Sequence, residues 1–433
     1  MTPLERALTT IRATLGRPFP DDCTVAGRYP VRPAACGQPP GSNLGWTTGF
    51  RTGELWLAYE ATGEPEFRAA AARDVTSFAD RIERGIDTDT HDLGFLYTLS
   101  CVAADHLAGD PAARAAALRA AATLRGRIIE PAGIVQAWGY LDDPAQRGRT
   151  IVDSLMNMPL FRWAAAELGD GAYAAAADRH VAQLRDHILR PDDTTFHTFW
   201  WDPATGAPLR GTTQQGFSDD SCWARGQAWG VYGFTLDYAW TGQPASLTAA
   251  RRCADYYLAH LPADHVPYWD LVFADGSGAP RDSSAAAIAA CGLLELARWV
   301  TGADRDRYQV AAAAAVQSLA DGYAADPATS DALLLHGVYD LPKGVGVDEA
   351  NLWGDYFYLE ALTRLATPEW TPYWLVGQAG PGGRAPWLRS EARGPVTGSD
   401  GPWGRAPWLR SEARATATGP DTVAKQEEEG DHL

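Results

Sequence analysis

Two aspartates carry most of the chemistry that the sequence offers. Asp92 lies in "HDLGF" (residues 91–95) and Asp153 in "IVDSLMNMPLFRWA" (151–164), and each stands directly before an apolar helical run. An aspartate in that place ordinarily caps the helix, its carboxylate accepting from the orphan N–H groups of the first turn. Two carboxylates at one sugar-sized cleft can instead do glycoside chemistry, one giving or taking a proton beside the other. The sequence leaves both readings open, and either aspartate could cap and also face a pocket.

The remaining side chains that stand out are aromatic. The chain has 17 tryptophans, among them Trp46, Trp138, Trp200, Trp201, Trp223 and Trp229. Core packing explains any single one of them, but "GWTTGF" and "WARGQAWG" set tryptophan among glycine and polar residues. Flat indoles there suit the C–H faces of sugar rings. Arg225, between two tryptophans, could form a bidentate bond to a carboxylate or could be a surface arginine stacked on indole. The chain contains no phosphate-binding loop, dinucleotide fingerprint, zincin helix or serine-hydrolase elbow. Its nine histidines and six cysteines show no ligand-like spacing, so neither a metal nor a cofactor is expected.

Positioning such residues falls to helices. Alanine-rich stretches such as "PAARAAALRAAATLRGRII" and "RDSSAAAIAACGLLELARWV" carry apolar residues at helical spacing, and long β-branched runs are nearly absent. Short loops rich in Gly, Trp, Asp and Ser ("GWTTGF", "HDLGF", "IVDSL", "DDSCWARGQAWG", "VDEANLWGDYF") repeatedly precede such helices. Helical hairpins in a closed ring would bring these loops to one rim, so an all-α architecture, an α/α barrel, is expected over residues 1–374. Beyond Trp374 the composition turns to Gly, Pro, Ser and charge, and "GRAPWLRSEAR" occurs twice; residues 375–433 read as a disordered tail.

With 46% hydrophobic and 21% charged residues the chain can bury a large core, and a net charge of −17 argues against nucleic acid or an anionic membrane as partner. "MTPLERALTTIRATL" lacks the apolar core of a secretory signal. Scattered cysteines in apolar contexts then point to a cytoplasmic protein. Oligomeric state leaves no signal in the sequence.

Taken together and in order, "HDLGFLY", "IVDSLMNMPL", "HTFWWD", "GFSDDSCWARGQAWGVYGF", "RDSSAAAIAA" and "GVDEANLWGDYFYLEAL" resemble the unsaturated glucuronyl hydrolases of glycoside hydrolase family 88, from about Trp46 to Trp374. The resemblance implies a six-hairpin α/α barrel and a substrate that is an unsaturated uronic-acid disaccharide or short oligosaccharide left by a polysaccharide lyase. It implies hydration of the C4=C5 double bond, with Asp153 as the acid and then base and Asp92 as the carboxylate that holds sugar hydroxyls and keeps its partner protonated. His91, Trp46, Trp138, His197, Gln215, Arg225 and Trp229 match pocket positions around the unsaturated ring.

The chain departs from that pattern in two places. Many members have His-Gln-Gly where this one has Gln214-Gln215-Gly216. Members that prefer sulfated substrates pair serines with a lysine before "GVDE", whereas "YDLPKGVGVDE" offers Lys343 alone, which leans towards unsulfated or mildly sulfated substrates. Rival readings are an unsaturated rhamnogalacturonyl hydrolase on the same scaffold and a non-catalytic helical sugar-binding protein. A sugar epimerase would want facing catalytic histidines, a set the sequence lacks.

Overall fold

Helical hairpins build the protein, and their turns share one chemistry. The helices Thr48–Thr62, Ala103–Ala108, Met158–Leu168 and Ala224–Thr241 each end on a glycine in the left-handed region (Gly63, Gly109, Gly169, Gly242). Only glycine takes that conformation without cost, and it stops the helix. Two residues later a new helix begins, with proline in its first turn in Pro65–Glu83, Pro111–Arg125 and Pro244–Ala259. Proline there gives up an N–H that has no partner in any helix. At these three places a Gly-x-Pro tripeptide is the complete hairpin turn.

The computed structural model describes residues 1–375, and among them six helical segments form an inner ring. They are Thr48–Thr62, the run from Leu93 to Ala108, Met158–Leu168, Ala224–Thr241, Ser283–Leu296 and Leu352–Ala366, each packed on the next and the last on the first. The inner helices are buried along nearly their whole length, whereas Pro65–Glu83, Pro111–Arg125, Gly171–Gln183, Pro244–Ala259 and Ala303–Ser318 bury one stripe against them from outside. Pro3–Ala13 completes the outer layer against Leu352–Ala366. This is the expected α/α barrel. The tail expected over 375–433 lies outside the described residues except for Leu375, which is buried at the end of the short helix Tyr373–Leu375.

Strands are few and local. Arg149–Ile151, Thr198–Trp201 and Pro208–Thr212 form an antiparallel sheet, and two further hairpins pair Ile128–Ile129 with Ile134–Val135 and Gly337–Asp340 with Val345–Glu349. Strands of two to five residues sit in the loops that lead into inner helices, where they stiffen the rim. No described helix is long and apolar enough to cross a membrane.

Charge is also buried inside the ring. Arg364 bonds Glu360 (2.8 Å), Glu295 (2.8 Å) and the Tyr232 hydroxyl (2.6 Å), tying three inner helices together. Such a network fixes register more than it adds stability, since desolvation offsets most of the attraction.

Glu54 is the less satisfied case. It is 4% exposed, lies 3.4 Å from Arg51, and its Oε1 has no hydrogen-bond partner. Burial first, and the charge of Asp355 beside it, lift the carboxyl well above the ordinary glutamate range in spite of Arg51. The folded chain therefore keeps a proton that the unfolded chain has released, and this contribution to stability is full at acidic pH and lost as pH rises through the folded-state value. Glu54→Gln keeps the shape without the titration. Melting curves should show the variant gaining on the wild type by a few degrees between about pH 5 and about pH 9, and a pH-independent difference would contradict this.

Candidate active site

Neither aspartate caps its helix. Asp92 occupies the N-cap position of Leu93–Tyr97, but its side chain makes no capping bond and accepts instead from the Thr90 hydroxyl (2.8 Å). The N–H that a cap would satisfy, that of Phe95, donates to Oδ1 of Asn157 at 2.9 Å. Asn157 closes the 3₁₀ turn Val152–Asn157 that carries Asp153 in its first turn. One segment thus supplies the cap of the other and frees the Asp92 carboxylate. The approach is close enough that a Cβ on Gly94 would stand 2.3 Å from the Asn157 Cα, so only glycine fits.

The docking brings both carboxylates to one imidazole. His91 Nε2 lies 3.3 Å from Asp153 Oδ1 and 3.5 Å from Asp92 Oδ1. The imidazole is buried, and its Nδ1 has no hydrogen-bond partner. Burial opposes the imidazolium, but the Asp92 charge and the hydrogen bond and charge of Asp153 outweigh it and raise the His91 pKa. Burial, reinforced by the Asp153 charge, lifts the Asp92 carboxyl above the ordinary range despite His91. Two carboxylates within reach of one buried imidazole can exchange protons as a unit.

A second buried histidine holds the Asp153 turn in place. His180 Nδ1 accepts from the Val135 N–H (3.0 Å), which leaves the proton on Nε2, 2.8 Å from the Ser154 hydroxyl. Ser154 donates in turn to the Ile151 carbonyl (2.6 Å). Burial pushes His180 down to about 3, so it stays neutral and keeps this tautomer.

Aromatic rings and one guanidinium line the space around the pair in a near-continuous chain of contacts. From His91 it runs through Trp138 (6.4 Å between centroids), His197 (6.2 Å) and Trp223 (4.6 Å). It continues through the Arg225 guanidinium, 4.4 Å over Trp223 and 5.1 Å over Trp353, to Trp46, stacked on Trp353 at 5.0 Å. Trp46 meets Phe95 at 5.9 Å and so returns to the Asp92 helix. Trp46, Trp138 and Gln215 are half-buried and can present faces to a ligand. His197 Nδ1 accepts from the Gln214 N–H (2.9 Å), and burial with the Arg225 charge pushes the ring down to about 3. His197 is therefore neutral with its proton on Nε2, a fixed donor.

Two expected residues sit deeper than ligand contacts. Trp229 is 1% exposed and packs under Phe95 and Phe357. Arg225 does stack on indole, but not at the surface: it is 2% exposed, bonds Asp282 (3.1 Å) and the carbonyls of Val338 and Tyr339 (2.7 Å to the latter), and reaches Gln215 Oε1 at 3.3 Å. Its charge is already balanced by a fully buried carboxylate. The residues that sequence reasoning missed are Asn157, Trp353, Tyr339, His180 and Asp282. All lie within or beside the quoted motifs except His180, which no motif marks. Among the described residues no three His, Cys, Asp or Glu side chains gather as metal ligands would.

The model of Glycosyl Hydrolase Family 88 matches residues 30–357. The chain belongs to glycoside hydrolase family 88. An unsaturated chondroitin disaccharide hydrolase of Streptococcus pneumoniae (strain ATCC BAA-255 / R6) is 45% identical over 359 residues, which are 82% of this chain and 88% of that one. An unsaturated glucuronyl hydrolase of Bacillus sp. (strain GL1) is 44% identical over 335 residues, 77% and 89% of the two chains. The crystal structure of the unsaturated glucuronyl hydrolase from Streptococcus agalactiae superposes with a TM-score of 0.81 at 41% identity, covering 86% of this chain and 92% of that one. Within this family 88 barrel, the carboxylate pair depends on the Gly94–Asn157 contact. Gly94→Ala should cost about 1–3 kcal/mol through overpacking and lower activity beyond what the stability loss explains. Normal turnover in that variant would show that the pair tolerates separation.

Proposed function

We propose that the chain hydrolyses unsaturated uronyl oligosaccharides, the products of lyases acting on glycosaminoglycan-type polysaccharides, by hydrating the C4=C5 bond of the terminal unsaturated glucuronic acid. The observation that carries this reading is the pair of carboxylates from two segments held at one buried imidazole. Two relatives support the substrate class: a mutant of the Streptococcus agalactiae enzyme was solved with dGlcA-GalNAc6S, and a structure named UGL with dGlcA-Glc-Rha-Glc. A sugar-binding protein without catalysis would have no use for a desolvated carboxylate pair.

In this reading Asp153 gives its proton to C4 of the vinyl ether, and positive charge develops at C5 beside the ring oxygen. Asp153, now a carboxylate, takes a proton from water as the water oxygen bonds to C5, which restores the acid. The C5 hemiketal opens to a ketone, and collapse of the hemiacetal at C1 releases the next sugar. Asp92 holds the sugar hydroxyls and supplies the like charge that keeps a proton on the pair, and His91 holds both carboxylates in register. His197 Nε2–H and Gln215 take the ring substituents, with Trp46 and Trp138 as flat walls. Arg225 and Trp229 act from behind, Arg225 orienting Gln215 and adding positive potential for the uronate. The free cysteines, four of them buried, fit a reducing compartment and support a cytoplasmic enzyme.

Because neither aspartate caps a helix, Asp→Asn tests chemistry with little structural cost. On an unsaturated chondroitin disaccharide, followed by loss of the conjugated chromophore, Asp153→Asn should lower turnover by about 10²–10⁴-fold while melting close to the wild type. Asp92→Asn should also lower turnover. A folded Asp153→Asn enzyme with near wild-type turnover would overturn the assignment.

A further inference from the structure

A bound uronide carries a carboxylate, and glycosaminoglycan fragments often carry more anionic groups, so the cations near the site fall into two sets. Most are already neutralised. Arg225 pairs with Asp282, Arg127 with Asp89, and Lys343, the cation of the segment before "GVDE", bonds Asp340 at 2.6 Å. Two are not. Among the described residues, neither Arg149 nor Arg210 forms an ion pair.

These two arginines are register neighbours. In the three-stranded sheet Arg149 stands opposite Trp200, and Trp200 opposite Arg210. Directly opposed residues share a face of the sheet, so the three form one cross-strand row. The Arg149 guanidinium lies 5.4 Å from the centre of the Trp200 ring, and that of Arg210, from the other neighbouring strand, lies 5.6 Å from it. Arg149 also lies 4.5 Å over Trp138, the ring that stands between His91 and His197 in the site wall. The row therefore leads outward from the carboxylate pair to the exposed Arg210.

Arg149 is 8% exposed, and its Nε is buried with no hydrogen-bond partner. Its Nη2 donates to Gln146 Oε1 (2.9 Å) and to the Trp138 carbonyl (3.4 Å), both neutral acceptors. A role confined to clamping the Trp138 loop would explain those two bonds. It would not explain a second guanidinium beside Trp200, that of Arg210, which among the described residues forms no ion pair and no side-chain hydrogen bond. Two indole-stacked guanidinium groups, each with N–H edges left over, make a pre-oriented site for a planar or tetrahedral oxyanion.

We propose that the Arg149–Trp200–Arg210 row is an anion-binding subsite that takes a sulfate ester or carboxylate on the sugar released by cleavage. This rests on the hydration reading for its substrate, but its test does not. Trp138 separates the row from the catalytic pair by one aromatic ring, so an anion held there is one ring removed from the reacting double bond. Substrate selectivity then comes from the strand row, and Lys343, held by Asp340, contributes little to it.

The test measures dissociation constants by tryptophan fluorescence in the non-cleaving Asp153→Asn protein. The probes are unsulfated, 4-sulfated and 6-sulfated unsaturated chondroitin disaccharides. With the row intact, at least one sulfated form should bind more tightly than the unsulfated one, with an advantage that shrinks as salt rises. Arg210→Gln, at an exposed position, should cut that advantage about three- to tenfold, and Arg149→Gln should do the same or more. Equal affinity for all three disaccharides, or a sulfate preference that survives both substitutions, would overturn the subsite. Failure of the hydration reading would look different: the chain with Asp153 intact would cleave none of the three, while the affinity ratios still decided the row.

Discussion

The bond from the Phe95 N–H to Asn157 Oδ1 is the contact on which the site depends, because it joins two segments that are 62 residues apart in sequence. A helix start needs an acceptor for its first-turn donors. Asp92 stands in the right place to provide one, and were it to do so its carboxylate would be turned to the backbone. Asn157 provides it instead, and the glycine at 94 lets the two backbones approach closely enough for the amide to reach. Asp153, four residues before Asn157, is carried in by the same docking and meets Asp92 across His91. A structural requirement of one helix is thus met by the segment that brings the second carboxylate.

Around that contact the rim is rigid because its polar groups are paired. Asp282 caps Ser283–Leu296 through the Ser284 N–H and also balances Arg225, so one carboxylate ties the helix Ala224–Thr241 to its neighbour and to the strand Gly337–Asp340. Asp270 does similar work for residues 217–221, accepting from the Phe217 N–H and the Ser221 hydroxyl. His197 and His180 are fixed as neutral tautomers by backbone N–H donors. Groups so constrained do not reorganise when a ligand enters, which is the condition under which electrostatic stabilisation is effective. Among the described residues the exceptions include His91 Nδ1, Asn157 Nδ2 and Arg149 Nε, which are buried without a hydrogen-bond partner.

Much of this was legible in the sequence. Helical periodicity with polar loops before apolar helices indicated a barrel with a functional rim, and the quoted motifs contained both aspartates and most of the wall. What could not be read were properties set by distant partners. Whether Asp92 caps its helix depends on Asn157, and no local pattern carries that information. Arg225 reads equally as a surface or a ligand-binding arginine until Asp282, 57 residues away, is seen beside it. Rim strands of two to five residues are too short for a period-two signal. One signal was present and unused: Gly-x-Pro at 63–65, 109–111 and 242–244 follows a helical run and precedes another, and there it marks a hairpin turn.

The central claim is that a proton from this carboxylate pair adds to C4 before the glycosidic bond is lost. Proton NMR of cleavage in D₂O tests it directly, using an unsaturated chondroitin disaccharide and following the vinyl H4 signal against the released sugar. The account predicts that the vinyl signal disappears no later than the sugar appears, with one deuterium entering at C4 in each turnover. A free monosaccharide that still carries the C4=C5 bond would contradict it, since that product requires attack at the anomeric carbon.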